Sequence, residues 1–331
     1  MLFIRTGPNN LITDVPGILV GNTSDHNVKT GVSVLTSEQP FTAAVHVMGG
    51  APGTAETDLL APDKLVEKAD AFVLAGGSAF GLAAGDGVRD ALRKSGRGFK
   101  VGIHSVPIVP VAILFDLMNG GNKDWSEGLY HHLGQQAFNN ADTTFAIGNA
   151  GAGTGALSGT QKGGLGSASL HLENGMHIGA LAAVNSVGSA RTQGGLHFWA
   201  APFEMDAEFG GLGSPAAGDA LALPDMKMSP QAHANTTIAI IATDAKLNKA
   251  AAKRVSIAAH DGFSRALVPA HTPFDGDLVF TAATGSYDNH ATDADIMLLC
   301  HAASVCMARA IARGVYEATG DSVLGPASAA K

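Results

Sequence analysis

The chain has 331 residues, is 46% hydrophobic and 15% charged, and carries a net charge of −8 and 42 glycines. That length is ample to bury a core as one large or two modest domains. The Gly- and Ala-rich, aromatic-poor composition suits close-packed helix and sheet layers, and the negative balance without a Lys/Arg run argues against nucleic acid as the main partner.

Met1–Pro8 is too short and too soon broken by Gly7-Pro8 to be a signal peptide. No apolar run approaches a membrane span. Cys300 and Cys306 fall on different faces of an expected helix, so no disulfide between them is expected and a reducing, cytoplasmic setting is the default.

Residues 11–21 and 29–35 read as two arms of a strand pair, and Thr42–Met48 as a third strand ending in Gly49-Gly50-Ala51-Pro52-Gly53. Thr57–Lys68 is acidic and Leu-rich, with Pro62 suited to a helix start. Ala71–Ala75 is a short buried strand running into Gly76-Gly77-Ser78-Ala79-Phe80-Gly81 and then a helix through Arg93. Strand, Gly-rich turn and helix form an anion-binding layout, although neither G-x-G-x-x-G nor a P-loop is present. Those glycines serve close helix packing, or their N–H groups line an oxyanion or carboxylate site.

Val101–Pro107 and Val109–Asp116 are extended, and Lys123–Asn139 has the spacing of a surface helix. His131 and His132 are sequence neighbours there, and adjacent helical residues do not face one site, so no metal is expected. Gly148–Gly166 is the most glycine-dense stretch; its one charge, Lys162, is either a solvated loop lysine or a cation aimed into a cleft. Ser167–Leu172 and His177–Asn185 read as a hairpin around Asn174-Gly175. Residues 191–234 lack periodicity and read as a long surface excursion.

Thr236–Thr243, dense in Thr and Ile, reads as a strand that starts abruptly after Asn235. A threonine at a strand head becomes a nucleophile if the preceding peptide bond is cut, because its own α-amine, with a reference pKa near 8, then serves as general base. A plain strand start is the bland alternative. Ala245–Asp261 is an amphipathic helix, and Asp275-Gly276-Asp277 heads a further strand, as a turn or as a carboxylate pair. The last helix, Asp293–Thr319, is long and largely apolar and is expected to be covered by other elements.

Together, Asp14–Gly21, Leu74–Leu82, Gly148–Gly155, Val184-Asn185, Asn235-Thr236-Thr237 and Asp275-Gly276-Asp277 resemble, in order and spacing, the P1-type peptidases. These include the L-aminopeptidase/D-amidase-esterases, β-aminopeptidases and endo-type nylon oligomer hydrolases. The resemblance spans nearly the whole chain. It implies an α/β fold, a four-layer α-β-β-α sandwich similar to N-terminal-nucleophile hydrolases with different connectivity. It also implies one self-processing domain over residues 1–331, cut between Asn235 and Thr236 into 1–235 and 236–331, and a homo-oligomer of tetramer size or larger. Thr236 would be the nucleophile, Asn185 an oxyanion donor or holder of the nucleophile, and Lys162 a cation beside it. Asp275 and Asp277 would orient the new amine, with Gly76, Gly77, Ser78 and Phe115 forming the substrate and oxyanion region. The substrate would be a small peptide or oligoamide, with no cofactor, metal, nucleic acid or membrane involved.

Aminopeptidase members carry a Gly-Glu-Thr-like run whose glutamate grips the substrate amine. This chain has Val109-Pro-Val-Ala-Ile-Leu-Phe-Asp116 instead, and Phe115-Asp116 lacks the hydroxyl of the Tyr-Asp in nylon hydrolases. An endo-acting amidase on an uncharged or extended amide chain fits better than a free-amine-specific aminopeptidase. Two other readings stay open: an acyltransferase on the ornithine-acetyltransferase scaffold, and a non-catalytic protein binding a small anion at residues 76–81 and 148–166.

Overall fold

A computed structural model of the protein describes residues 5–125, 127–222, 225–227 and 235–318. The strands are β1 (Ile18–Asp25), β2 (Thr30–Val47), β3 (Thr54–Ala55), β4 (Lys68–Ala75), β5 (Phe99–Val101), β6 (His104–Val106) and β7 (Val111–Ile113). They continue as β8 (Leu157–Ser158), β9 (Gln161–Lys162), β10 (Gly164–His171), β11 (His177–Asn185), β12 (Thr236–Thr243) and β13 (Leu278–Ala283). Helices α1 (Ala84–Lys94), α2 (Leu129–Asn139), α3 (Lys249–Ala266) and α4 (Asp293–Tyr316) complete the set.

Nine strands join in the order β10-β11-β12-β13-β2-β4-β7-β3, with β1 also on β2. Strand β2 is 18 residues long and belongs to two layers. Its first half pairs with β1 and β4, and its second half pairs antiparallel with β13. Its register against β4 shifts between Thr36 and Phe41, an irregularity of the kind that bends a strand. The two halves of the sheet therefore face each other across a shared core. Phe72 of β4 stacks on Phe280 of β13 across that core, ring centroids 4.5 Å apart.

Alternation along β12 follows from the period of two. Ile238, Ile240 and Ala242 point into the core between layers, whereas Ala239 and Ile241 face α3 and α4. On the opposite outer face, Val32, Val34 and Val73 pack against Val88 of α1 and Leu133 of α2. The result is helices, sheet, sheet, helices: the four-layer sandwich. Asn248 caps α3 by accepting from the Ala251 N–H, and Thr292 with Asp295 forms a capping box on α4. Leu299, Met307 and Ile311 of α4 are fully buried, each stabilising the fold by about 1.5–3 kcal/mol.

Several expectations need correction. The strand expected at Thr42 is the second half of β2, not a separate element. Thr57–Lys68 forms no α-helix, only a 3-10 turn at Asp58–Leu60. Pro62 disfavours the helical region for the residue before it, and Ala61 is extended (ψ 143°). The helix expected from Lys123 starts at Leu129 and buries Tyr130, Leu133, Gly134 and Ala137, so it is a layer element and not a surface helix. Helix α4 is long and apolar enough to cross a membrane by length and composition, contrary to the reading of the sequence, yet it packs onto α3, β10 and β11 as a core helix. Among its described residues the 191–234 excursion contains no strand and only two short 3-10 turns. Positions 223–224 and 228–234, including His233 and Ala234, and the end of the last expected helix at Thr319 lie outside the described residues.

Candidate active site

Sheet pairing assembles the site. Strand β12 lies between β11, antiparallel, and β13, parallel. Its register sets Thr236 opposite Asn185, and a parallel bridge sets Asn235 beside Asp275. Residues far apart in the chain thus meet at one end of three neighbouring strands. Asn185, Asn235, Thr236, Asp275 and Asp277 are all buried.

The Thr236 hydroxyl donates to the carbonyl oxygen of Asn235, its own preceding residue. The Gly276 N–H donates to that same carbonyl at 2.9 Å and lies 3.2 Å from Thr236 Oγ1. Asp277 Oδ1 accepts from the Thr237 N–H at 2.8 Å, and its Oδ2 accepts from the His271 N–H at 3.1 Å, with His271 Nδ1 2.9 Å away. Asp275 accepts from the Val187 N–H at 3.1 Å and from the Thr272 hydroxyl at 2.5 Å. Burial, and then the neighbouring charge of Asp277, push the Asp275 carboxyl above the ordinary range, against the Thr272 and Val187 hydrogen bonds.

Asn185 is fixed on both sides of its amide. Its Oδ1 accepts from the Leu157 N–H at 3.0 Å and from Lys227 Nζ at 3.1 Å, and its Nδ2 donates to the Phe115 carbonyl at 2.9 Å. Burial lowers the Lys227 ammonium to about 7, with Asp275 opposing the shift. Lys162, on the short β8–β9 hairpin, donates to the Thr154 carbonyl at 2.5 Å. The ammonium on Asn185 is therefore that of Lys227, which the sequence reading did not single out.

The glycine turn after β4 needs a correction. Gly76 N–H donates to the Gly31 carbonyl and Gly77 N–H to Asp116 Oδ1, each at 2.9 Å, and Ser78 N–H to the Leu114 carbonyl at 2.9 Å. These donors are engaged inside the fold and do not form an oxyanion site. Gly77 is required for shape: its φ is +84°, and a Cβ there would fall 2.1 Å from the Tyr130 ring. Asp116 is fully buried, accepts from the Thr30 hydroxyl at 2.6 Å, and is pushed up chiefly by burial.

Thr236 and Asn235 open onto a cleft of about 300 Å³ that is also lined by Ala51, Pro52, Gly53, Ser78, Ala79, Leu82, Ile113 and Phe115. Among the described residues no acidic or basic side chain lines it. The wall at 51–53, which in the sequence marks only the end of a strand, is part of the cleft. It is tied to the acidic run by the Ala51 N–H on the Asp275 carbonyl (2.9 Å) and the Met48 and Gly49 N–H groups on the Asp277 carbonyl (3.0 Å each). Behind Asp277, His271, His260 and His46 form a ring cluster, with centroids 4.8 Å (His260–His271) and 5.1 Å (His46–His260) apart. Burial pulls His260 down to about 3. Its Nε2 must carry the proton, because the His46 carbonyl at 3.1 Å can only accept. Among the described residues no group of three or more His, Cys, Asp or Glu could hold a metal ion.

Chemically, the site offers a hydroxyl on a carbonyl, N–H donors around it, and carboxylates within the same turn. Residues 10–325 match the model of peptidase family S58. The chain is 40% identical to an uncharacterized aminopeptidase of Mycobacterium leprae, covering 98% of this chain and 94% of that one. It is 27% identical to a 6-aminohexanoate-oligomer endohydrolase of Kocuria sp., covering 86% of this chain and 77% of that one. Its fold is similar to that of the L-aminopeptidase D-Ala-esterase/amidase from Ochrobactrum anthropi, a variant of the Ntn-hydrolase fold. The TM-score is 0.69 and the identity 21%, over 95% of this chain and 88% of the other.

Proposed function

Because the chain belongs to peptidase family S58, and is accordingly a peptidase or amide hydrolase, we propose that it cuts itself before Thr236 and then hydrolyses amides with that threonine. One observation carries the reading: the buried Thr236 hydroxyl lies on the carbonyl of the bond to be cut, at the wall of the cleft. Once cut, Thr236 has a free α-amine to accept its hydroxyl proton, so no histidine is needed at the reacting oxygen. Asp275 and Asp277 hold the new ammonium. Carboxylates raise its pKa, so the protein has to limit their pull for the amine to remain a base near neutral pH. The N–H groups of Thr237, Val187 and His271 on the two carboxylates do this. Asn185 takes the holding role, fixing Phe115 and β12 against each other, and Lys162 stiffens the glycine-rich stretch at Thr154.

For the substrate we infer an uncharged, extended oligoamide cut internally. The cleft walls are apolar or neutral, and Asp116, the acid nearest in sequence to Phe115, points to Thr30 and Gly77. A free ammonium would find no carboxylate among the described cleft walls. Aminopeptidase action is the second reading, favoured by the 40% identical relative.

The test is intact mass under denaturing conditions beside a Thr236→Ala variant. Wild type should give chains 1–235 and 236–331, and the variant one full-length chain; an uncut wild-type chain after prolonged incubation sinks the mechanism. Cut protein should then hydrolyse an N-terminally blocked aliphatic oligoamide at least ~10-fold faster in kcat/KM than a free-amine dipeptide amide. The reverse preference selects the aminopeptidase.

A further inference from the structure

Self-cleavage poses a problem that later turnover does not. In the uncut chain Thr236 has no free amine, and attack on Asn235 places negative charge on a buried carbonyl oxygen. An N–H aimed at that oxygen before reaction is what stabilises such charge. The Gly276 N–H is 2.9 Å from Asn235 O and 3.2 Å from the attacking Oγ1. This donor is main chain, and no side chain could stand at its residue: a Cβ on Gly276 would lie 2.7 Å from Thr236 Oγ1 and 2.6 Å from the Ala51 carbonyl. The peptide is also fixed from behind, through the Ala51 N–H on the Asp275 carbonyl.

We propose that the main-chain N–H of Gly276 is the oxyanion donor of the self-cleavage step, an inference that rests on the Thr236 reading above. Thr236 Oγ bonds to the Asn235 carbonyl carbon, and its proton ends on the Thr236 nitrogen as the C–N bond breaks. The product is an Asn235–Thr236 ester with a free α-amine. Water then adds to the ester carbon and the C–Oγ bond breaks, leaving the Asn235 carboxylate, the Thr236 hydroxyl and the ammonium. Gly276 N–H holds the Asn235 oxygen through the first tetrahedral state and loses that acceptor when the new C-terminus departs.

The full chain carrying Gly276→glycolic acid, introduced by codon suppression, replaces this N–H by an ester oxygen of nearly the same shape. Its conversion to 1–235 and 236–331 is followed by intact mass beside wild type. We expect conversion slower by roughly 10²–10³-fold, the usual loss for one oxyanion donor. Conversion at the wild-type rate overturns this inference alone, whereas a wild-type chain that stays whole overturns the Thr236 reading and this inference with it. Should the ester-bearing chain fail to fold, amide hydrogen exchange at Gly276 decides. It should be at least ~5-fold slower in uncut Thr236→Ala protein than in cut wild type, because the carbonyl acceptor is still there; equal rates overturn the proposal.

Discussion

Both oxygens of Asp277 are engaged, one taking the Thr237 N–H and the other His271. His271 is a positioning residue: it touches the carboxylate, while the carboxylate faces the head of β12. Replacing it by Ala removes the Nδ1 donor from Asp277 Oδ2, so the Thr236 ammonium has one competitor fewer at that carboxylate and is held more tightly. The sign follows: a raised amine pKa moves the acidic limb of the kcat/KM profile to higher pH. We expect His271→Ala to lower kcat about tenfold at neutral pH with little change in KM, the loss shrinking as pH rises, and His271→Asn to restore part of it. A pH profile that keeps its shape would reduce His271 to a packing residue. At this scale the sequence was informative where identity lives in the side chain, as for Thr236, Asn185 and the two aspartates. It was silent about Gly276, whose contribution is a main-chain N–H that every non-proline residue owns.

Elements were legible where their pattern is local. The Asn174-Gly175 turn between β10 and β11, the Thr/Ile density of β12 and the apolar spacing of α3 and α4 all appear in short windows. The bend in β2 did not, because it arises from pairing with β1, β4 and β13, contacts distant in the chain. The acidic Leu-rich stretch before β4 misled for a related reason: its composition suits a helix, but Ala61 precedes a proline and is extended. The seat of α4 on β10 is another contact that no window reveals. A Cβ at Gly166 would fall 1.8 Å from the Ala310 carbonyl and one at Gly314 would fall 2.8 Å from the Gly166 nitrogen, so helix and strand touch backbone to backbone. Gly166→Ala should therefore cost about 2–3 kcal/mol by overpacking, read as a lower urea midpoint at unchanged m-value. A change below ~0.5 kcal/mol would mean the helix can slide off the strand freely.

On the scale of the whole molecule, the four layers leave the β5–β6 hairpin with little cover. Phe99, Val101, Ile103 and Val106 are exposed, Ile103 to 95%. An apolar run of this kind on a surface is a candidate contact between copies. We expect light scattering to give a tetramer or larger assembly, and Ile103→Lys to shift it toward smaller species; a monomeric wild type removes the idea. The pairing of β12 on both edges has a separate consequence for a chain cut before Thr236. The break falls at the head of a central strand, so every ladder hydrogen bond of that strand survives it and the two pieces stay joined by one core. Denatured, however, the same protein is two molecules. Its refolding then depends on concentration, its melting temperature falls on dilution, and a chain that once folded alone can regain its shape only by finding its other half.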